Sequence, residues 1–351
     1  MWASSSGQWC NRNKREMKIV VDDNIPFIRG RLEKIAEVVY ADQSAITREL
    51  VKDADAIIIR TRTEANEALL GGSSVKLVAT ATIGTDHVDL DWCKSQGIAV
   101  ENCPGCNAPG VAQYVWSALL RKGFDPKRHR LGIVGCGNVG SIVRNWGERL
   151  GAEVIVNDPP RKEMGIIDDY AGLDELLATC DCITLHTPLT HNGQHPTFHM
   201  IGERELGLMK PKGLLVNAAR GPVVDGDALK KALKERRVRA VVDTWEWEPA
   251  LDAELLDLTE YGTFHIAGYS HEGKERATRM VLEAVGRHFG VEVNTDGLAE
   301  AYVEPAGLCP QMILDSYDPG DDDDELRLHP EDFDRLRHDY NYRHEVGFSK
   351  E

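Results

Sequence analysis

LGIVGCGNVGSIVRNWGERLGAEVIVND, residues 131–158, holds an apolar run, three glycines spaced G-x-G-x-x-G, an amphipathic stretch and a second apolar run ending in an acid. That order reads as strand, glycine turn, helix, strand. Gly135 allows the tight turn, Gly137 lets the backbone approach a pyrophosphate, and Gly140 lets the helix pack on the strand. The N-terminus of the helix then faces the anion. Three glycines at this spacing are a weak signal alone. The strand before them, the helix after them and the acid in register make it a dinucleotide fingerprint. Asp158 falls 23 residues past Gly135, where an acid binds the adenosine ribose hydroxyls. Its charge repels a 2′-phosphate, so NAD is favoured over NADP.

The texture on both sides is α/β. Upstream, "MKIVVDD", "DAIIIRT", "KLVATATIG" and "GIAVENCP" read as strands. "IPFIRGRLEKIAEVV", "NEALLGG" and "VDLDWCKSQG" between them read as helical. Downstream, "CDCITLHTP", "KGLLVNAARG", "VRAVVDTWEWEP" and "YGTFHIAGYS" each carry an apolar strand, and a helix follows from about Glu272 to Phe289. Strands alternating with helices imply parallel sheets with crossovers. After Gly290 the chain turns polar and acidic. Asp321 to Asp324 read as a solvated loop. A helix starting at Pro330 places Phe333, Leu336 and Tyr340 on one apolar face, a surface expected to pair two subunits.

The 351 residues suffice for two domains and a small third. A formal net charge of −16 argues against nucleic-acid binding. No run of 18 apolar residues exists, so no membrane span is expected. Residues 1–16 lack the apolar core of a signal peptide and read as a disordered extension. The eight scattered cysteines fit a reduced, cytoplasmic protein. Cys103 and Cys106 form a C-x-x-C pair, but a structural zinc needs four ligands and no second pair exists. The cysteines therefore read as packing residues, and no metal is expected.

Three polar groups lie where later strands end: Arg220, Glu248 and His265. Oxidising an alcohol by hydride transfer needs a base near neutral pH, a role suited to histidine. A carboxylate bonded to it fixes its tautomer. An arginine clamps a substrate carboxylate in bidentate fashion. Singly, each has a plain alternative: a surface ion pair, a solvated acid, a buried structural histidine. Their order on one nucleotide-binding half favours the catalytic reading.

These stretches resemble the D-isomer-specific 2-hydroxyacid dehydrogenases. The carriers are "GIVGCGNVG", "VNAARGPVVD", "DTWEWEP" and the His265 loop. "ATATIGTDHVD", "PGCNAPGVAQYV", "NDPPR", "HIAGYSHEGK" and the tail "YDPGDDDDELRLHPEDFDRLRHDYNYRHE" resemble one subfamily within it. The resemblance implies an α/β architecture with two Rossmann-like doubly wound parallel-sheet domains. A flavodoxin-like substrate domain spans 17–108 with about 270–290, and an NAD-binding domain spans 109–269. A small C-terminal α+β dimerisation domain spans 291–351. It implies Arg220, Glu248 and His265 as the catalytic trio. Gly135, Gly137, Asn138, Val139, Gly140, Asp158, Thr187, Ala218, Asp243 and Gly268 become cofactor contacts. Thr61, Thr82 and Tyr269 become substrate contacts, and Asn107 caps the helix that follows it. The implied protein is an NAD-dependent homodimer acting on a small phosphorylated 2-hydroxy acid. Two rivals stand beside this reading: another family member, such as 3-phosphoglycerate dehydrogenase, and an NAD-sensing protein without turnover.

Overall fold

The computed structural model describes residues 17–168 and 170–348. The expectation for residues 1–16 lies outside them. The chain divides into two compact units. The first runs to Cys103 and takes back Ala277–Leu298. The second comprises Pro104–Arg276 and the chain from Ala299 onward.

The first unit is a five-stranded parallel sheet. Its strands are β1 (Lys18–Asp22), β2 (Glu37–Ala41), β3 (Ala56–Ile59), β4 (Leu77–Thr80) and β5 (Ala99–Glu101), in the order β2-β1-β3-β4-β5. This is the flavodoxin-like order. β3 and β4 are buried along their whole length, as strands covered on both faces must be. One expectation fails here. "IPFIRGRLEKIAEVV" forms no helix; residues 24–36 are turns, and β2 begins at Glu37. Pro26 and Gly30 (φ +82°) break the helical path, while Ile25, Ile28 and Leu32 still reach the core.

The second unit carries six parallel strands: β6 (Arg130–Val134), β7 (Glu153–Asn157), β8 (Cys182–Leu185), β9 (Leu214–Asn217), β10 (Arg239–Val242) and β11 (Tyr261–Gly262). Their order is β11-β10-β9-β8-β6-β7. From β6 the chain steps outward to β7 and then returns to β8 on the other side. The turn after β6 therefore lies at the topological switch point, where such sheets bind ligands. The helix Ala108–Arg121 is buried on nearly every residue, with Trp116 fully enclosed.

The C-terminal segment belongs to this unit and corrects several expectations. Among the described residues it holds short helices and one bridge residue, Arg343, but no strand of its own. It is therefore not an α+β body; its apolar side chains join an existing core. Phe333 and Leu336 are buried in the core cluster of the second unit, and Tyr340 packs edge-on against Phe264. That face is covered by the same chain and is not available for pairing subunits. Asp321–Asp324 is no solvated loop either. It lies in the helix Pro319–Leu328, where acids in the first turn suit the helix dipole. Asp323 is buried, accepts from Gly262 N at 2.6 Å and pairs with Arg327 at 2.9 Å. No helix of the described residues is long and apolar enough to cross a membrane.

Candidate active site

The glycine turn is built as its spacing predicts. Gly135 has φ +89°, a left-handed conformation that favours glycine. A side chain on Gly140 would collide with the Gly135 carbonyl, so helix and strand meet at backbone distance. Among the described residues, nothing lies within 4 Å of where a Gly137 side chain would start. The helix Asn138–Leu150 opens directly above that space. Asp158 accepts from Cys136 N at 2.8 Å and from Arg161 N at 3.1 Å. It thus ties the glycine turn to the end of β7 while keeping lone pairs for a ribose. Thr187 Oγ1 is buried with no hydrogen-bond partner among the described atoms. A buried hydroxyl left unpaired, an open glycine turn and a helix N-terminus together fit a dinucleotide.

Three further groups follow adjacent strands of the same sheet. Arg220 comes after β9, Glu248 after β10 and His265 after β11. Asn217 sets the first turn: its side chain donates to Arg220 O at 3.1 Å and accepts from Ala219 N at 3.2 Å, with Ala218 between. A side chain on Gly221 would collide with the Trp245 carbonyl, so the Arg220 turn rests on the backbone leading to Glu248. Glu248 accepts from Trp245 N at 3.1 Å, and its other oxygen lies 2.5 Å from His265 Nδ1. Burial pushes the Glu248 carboxyl up, but His265, the Trp245 N–H and Arg337 outweigh it and hold the group below the usual carboxylate range. Glu248 is therefore an anion beside His265 Nδ1, an arrangement that suits a proton on that nitrogen.

His265 has φ +59°, a conformation costly for a side-chain-bearing residue. Asp243 imposes it. The Asp243 carbonyl accepts from His265 N at 2.9 Å. Its carboxylate accepts from Ile266 N at 2.8 Å, Ala267 N at 3.0 Å and Thr263 Oγ1 at 2.7 Å. Tyr269 closes the loop by donating its N–H to Ile266 O at 2.8 Å. Gly268 lies against the Asn107 side chain. Asn107 occupies the first position before the helix Ala108–Arg121, yet its side chain makes no capping bond. The packing against Gly268 takes the place of the expected cap.

A residue that the sequence did not single out braces this loop. The buried Arg343 donates to Ile266 O at 3.0 Å, Tyr269 O at 3.2 Å, Gly110 O at 3.1 Å and Gln113 Oε1 at 3.1 Å, and also to Ala267 O. Beside it, Glu345 accepts from Ser270 Oγ at 2.6 Å and forms a buried ion pair with Arg276. Thr61 and Thr82 belong to the other unit. They follow β3 and β4, neighbouring strands of its sheet. Thr61 is exposed, and Thr82 Oγ1 lies 2.7 Å from Thr80 Oγ1 and donates to Gly84 O at 3.1 Å.

The C-x-x-C pair is thiol chemistry at rest. Cys103 donates to the carbonyls of Thr80 and Ala277 at 3.4 and 3.3 Å. Burial pushes Cys106 up to about 11 and Cys182 up to about 12, far from a reactive thiolate.

A switch-point glycine turn fitted to a dinucleotide, with a carboxylate-bound histidine and an arginine along the same sheet edge, defines a nicotinamide-dependent dehydrogenase. Residues 110–267 match the family described as D-isomer specific 2-hydroxyacid dehydrogenase, NAD binding domain. An erythronate-4-phosphate dehydrogenase of Bacteroides fragilis is 43% identical over 340 residues, spanning 94% of this chain and 98% of that one. The NAD-bound 3-phosphoglycerate dehydrogenase of Entamoeba histolytica superposes with a TM-score of 0.67 at 26% identity, covering 82% of this chain and all of the other. A D-lactate dehydrogenase of Aquifex aeolicus, complexed with NAD and lactic acid, gives 0.64 at 27% identity over 78% of this chain and 95% of its own. The chain belongs to the D-isomer specific 2-hydroxyacid dehydrogenase family and is an NAD-dependent dehydrogenase.

Proposed function

We propose that the chain oxidises 4-phospho-D-erythronate at C2 to 2-oxo-3-hydroxy-4-phosphobutanoate. NAD, when bound, supplies the hydride acceptor. Arg220 holds the substrate carboxylate beside C2 through its planar fork. His265 Nε2 takes the C2 hydroxyl proton, and Glu248 keeps the ring oriented and accepts the hydrogen bond of its other nitrogen. Thr61, Thr82 and Tyr269 contact the substrate. Gly135, Gly137, Asn138, Val139, Gly140, Asp158, Thr187, Ala218, Asp243 and Gly268 surround the cofactor. The observation that carries the reading is the 2.5 Å contact between His265 Nδ1 and Glu248. It leaves one imidazole nitrogen open as a base, on the sheet edge that also presents Arg220. An NAD sensor without turnover needs no such couple. The reaction is then a step toward pyridoxal 5′-phosphate.

We further infer a cytoplasmic homodimer. The resemblance supports pairing, through a surface other than the buried Phe333 face. The free cysteines among the described residues, six of them buried, support a reduced compartment. The test is a panel of 2-hydroxy acids assayed with NAD, followed by absorbance of the reduced cofactor. The expected result is the highest kcat/KM for 4-phosphoerythronate. A higher value for 3-phosphoglycerate or lactate would reassign the substrate.

A further inference from the structure

Resting on that reading, the substrate is an anion at both ends, a carboxylate and a phosphate. Arg220 answers one. The protein carries a net charge of −16, so its overall field repels a phosphate unless cations are concentrated where it docks.

Such cations surround Tyr269, four residues beyond His265. Lys274 Nζ lies 3.5 Å from the centroid of the Tyr269 ring and 5.3 Å from that of Tyr342. The Arg337 guanidinium lies 5.6 Å from the same Tyr269 centroid. Tyr342 stands edge-on to Tyr269 with centroids 6.1 Å apart. Two positive groups from distant parts of the chain thus share one aromatic ring. Arg337 Nε is buried without a hydrogen-bond partner among the described residues, and an unanswered buried donor is costly. The guanidinium also faces Glu248. Burial works against its charge, yet Tyr269 and Glu248 more than offset that. Its charge is therefore felt both at Tyr269 and at Glu248.

We propose that Lys274 and Arg337, both beside the Tyr269 ring, receive the phosphate of the substrate. The C-terminal segment then takes part in specificity as well as in packing. Arg337 supplies a charged donor at a fixed place, and Lys274 supplies a mobile point charge. Together they favour a 2-hydroxy acid with a terminal phosphate over one without.

The full-length enzyme tests this with 4-phosphoerythronate and unphosphorylated erythronate as paired substrates. Wild type, Lys274→Gln, Arg337→Gln and Arg337→Lys are compared, and NAD affinity is titrated for each to establish that the fold is retained. Each Gln variant should lose about tenfold or more in kcat/KM for the phosphorylated substrate, mainly through KM, the worth of one charge-assisted hydrogen bond. Erythronate turnover should change by less than about twofold in Lys274→Gln and should fall less than 4-phosphoerythronate turnover in Arg337→Gln, and Arg337→Lys should recover part of the loss. Inorganic phosphate should compete with substrate in the wild type and compete more weakly in the Gln variants. Equal losses on both substrates would assign Arg337 to Glu248 instead and overturn the phosphate site, as would no loss on either. A wild type indifferent to the phosphate overturns the substrate reading itself, before any variant is compared.

Discussion

The glycine turn and the histidine loop sit on the same sheet and are held in opposite ways. The turn at Gly135 is made by its neighbours: the strand before it, the helix after it, and Asp158 reaching back from the next strand. The loop at His265 is held from far away. Asp243 fixes it from beneath, and Arg343, 78 residues on, ties down three of its carbonyls. A cofactor turn needs open backbone donors, which short-range geometry provides. A base held in a strained backbone needs several independent restraints, and local sequence cannot supply enough of them.

The largest expected effect falls on His265, the proposed base. His265→Ala should cut turnover by about 10²- to 10⁴-fold while NAD affinity, measured by titration, stays near wild type. Near-normal turnover would remove His265 from the chemistry and leave the loop a purely structural feature. Next comes its remote brace. Arg343→Met leaves several buried carbonyls unpaired and should cost about 3–5 kcal/mol of stability, seen in urea melts, with turnover falling more than NAD binding. If NAD binding fell first, the two regions would be more tightly coupled than their hydrogen bonds indicate.

The comparison also explains what could be read without coordinates. The glycine turn was legible because each of its parts lies within one short βαβ stretch. The amphipathic pattern at Phe333 and Leu336 was legible as a buried face, but periodicity says nothing of what buries it, and the expected partner subunit is the chain's own core. The acids at 321–324 looked solvated because a charge count ignores that Asp323 meets Gly262 N and Arg327. Arg343 carried no signal, since an arginine in a polar tail looks the same whether it is exposed or clamped. The run at 25–39 had helical spacing, and Pro26 and Gly30 were the warning.

Smaller effects sharpen the contrast. Glu248→Gln should lower turnover by about tenfold, the worth of one charge-assisted hydrogen bond. Because the folded protein holds Glu248 below the usual carboxylate range, its ionised form stabilises the fold above the unfolded pKa of about 4.3, and that contribution disappears as pH falls through the folded value. Thermal melts of wild type and Glu248→Gln should therefore converge in acid; a gap independent of pH would deny the ionised pair. The mildest effect belongs to the locally built turn. Asp158→Ala should weaken NAD by ~3- to 10-fold and narrow its preference over NADP, as read by calorimetry. Equal affinity of the unmodified protein for both cofactors would remove Asp158 from that choice.

The helix His271–Phe289 begins in one unit and finishes in the other, and this sets a timetable for synthesis. Residues up to Cys103 leave the ribosome first. The first unit still lacks Ala277–Leu298, whose Thr278 hydroxyl donates to Pro26 O at 2.7 Å and whose Asn294 and Asp296 carbonyls receive Arg31. At ordinary elongation rates the 195 residues from Pro104 to Leu298 take roughly 10–40 s. The second unit waits longer still, for Arg343 and Glu345. A chain broken off between Leu298 and Arg343 would hold every strand of both sheets and the whole first unit, yet its histidine loop would be unsecured.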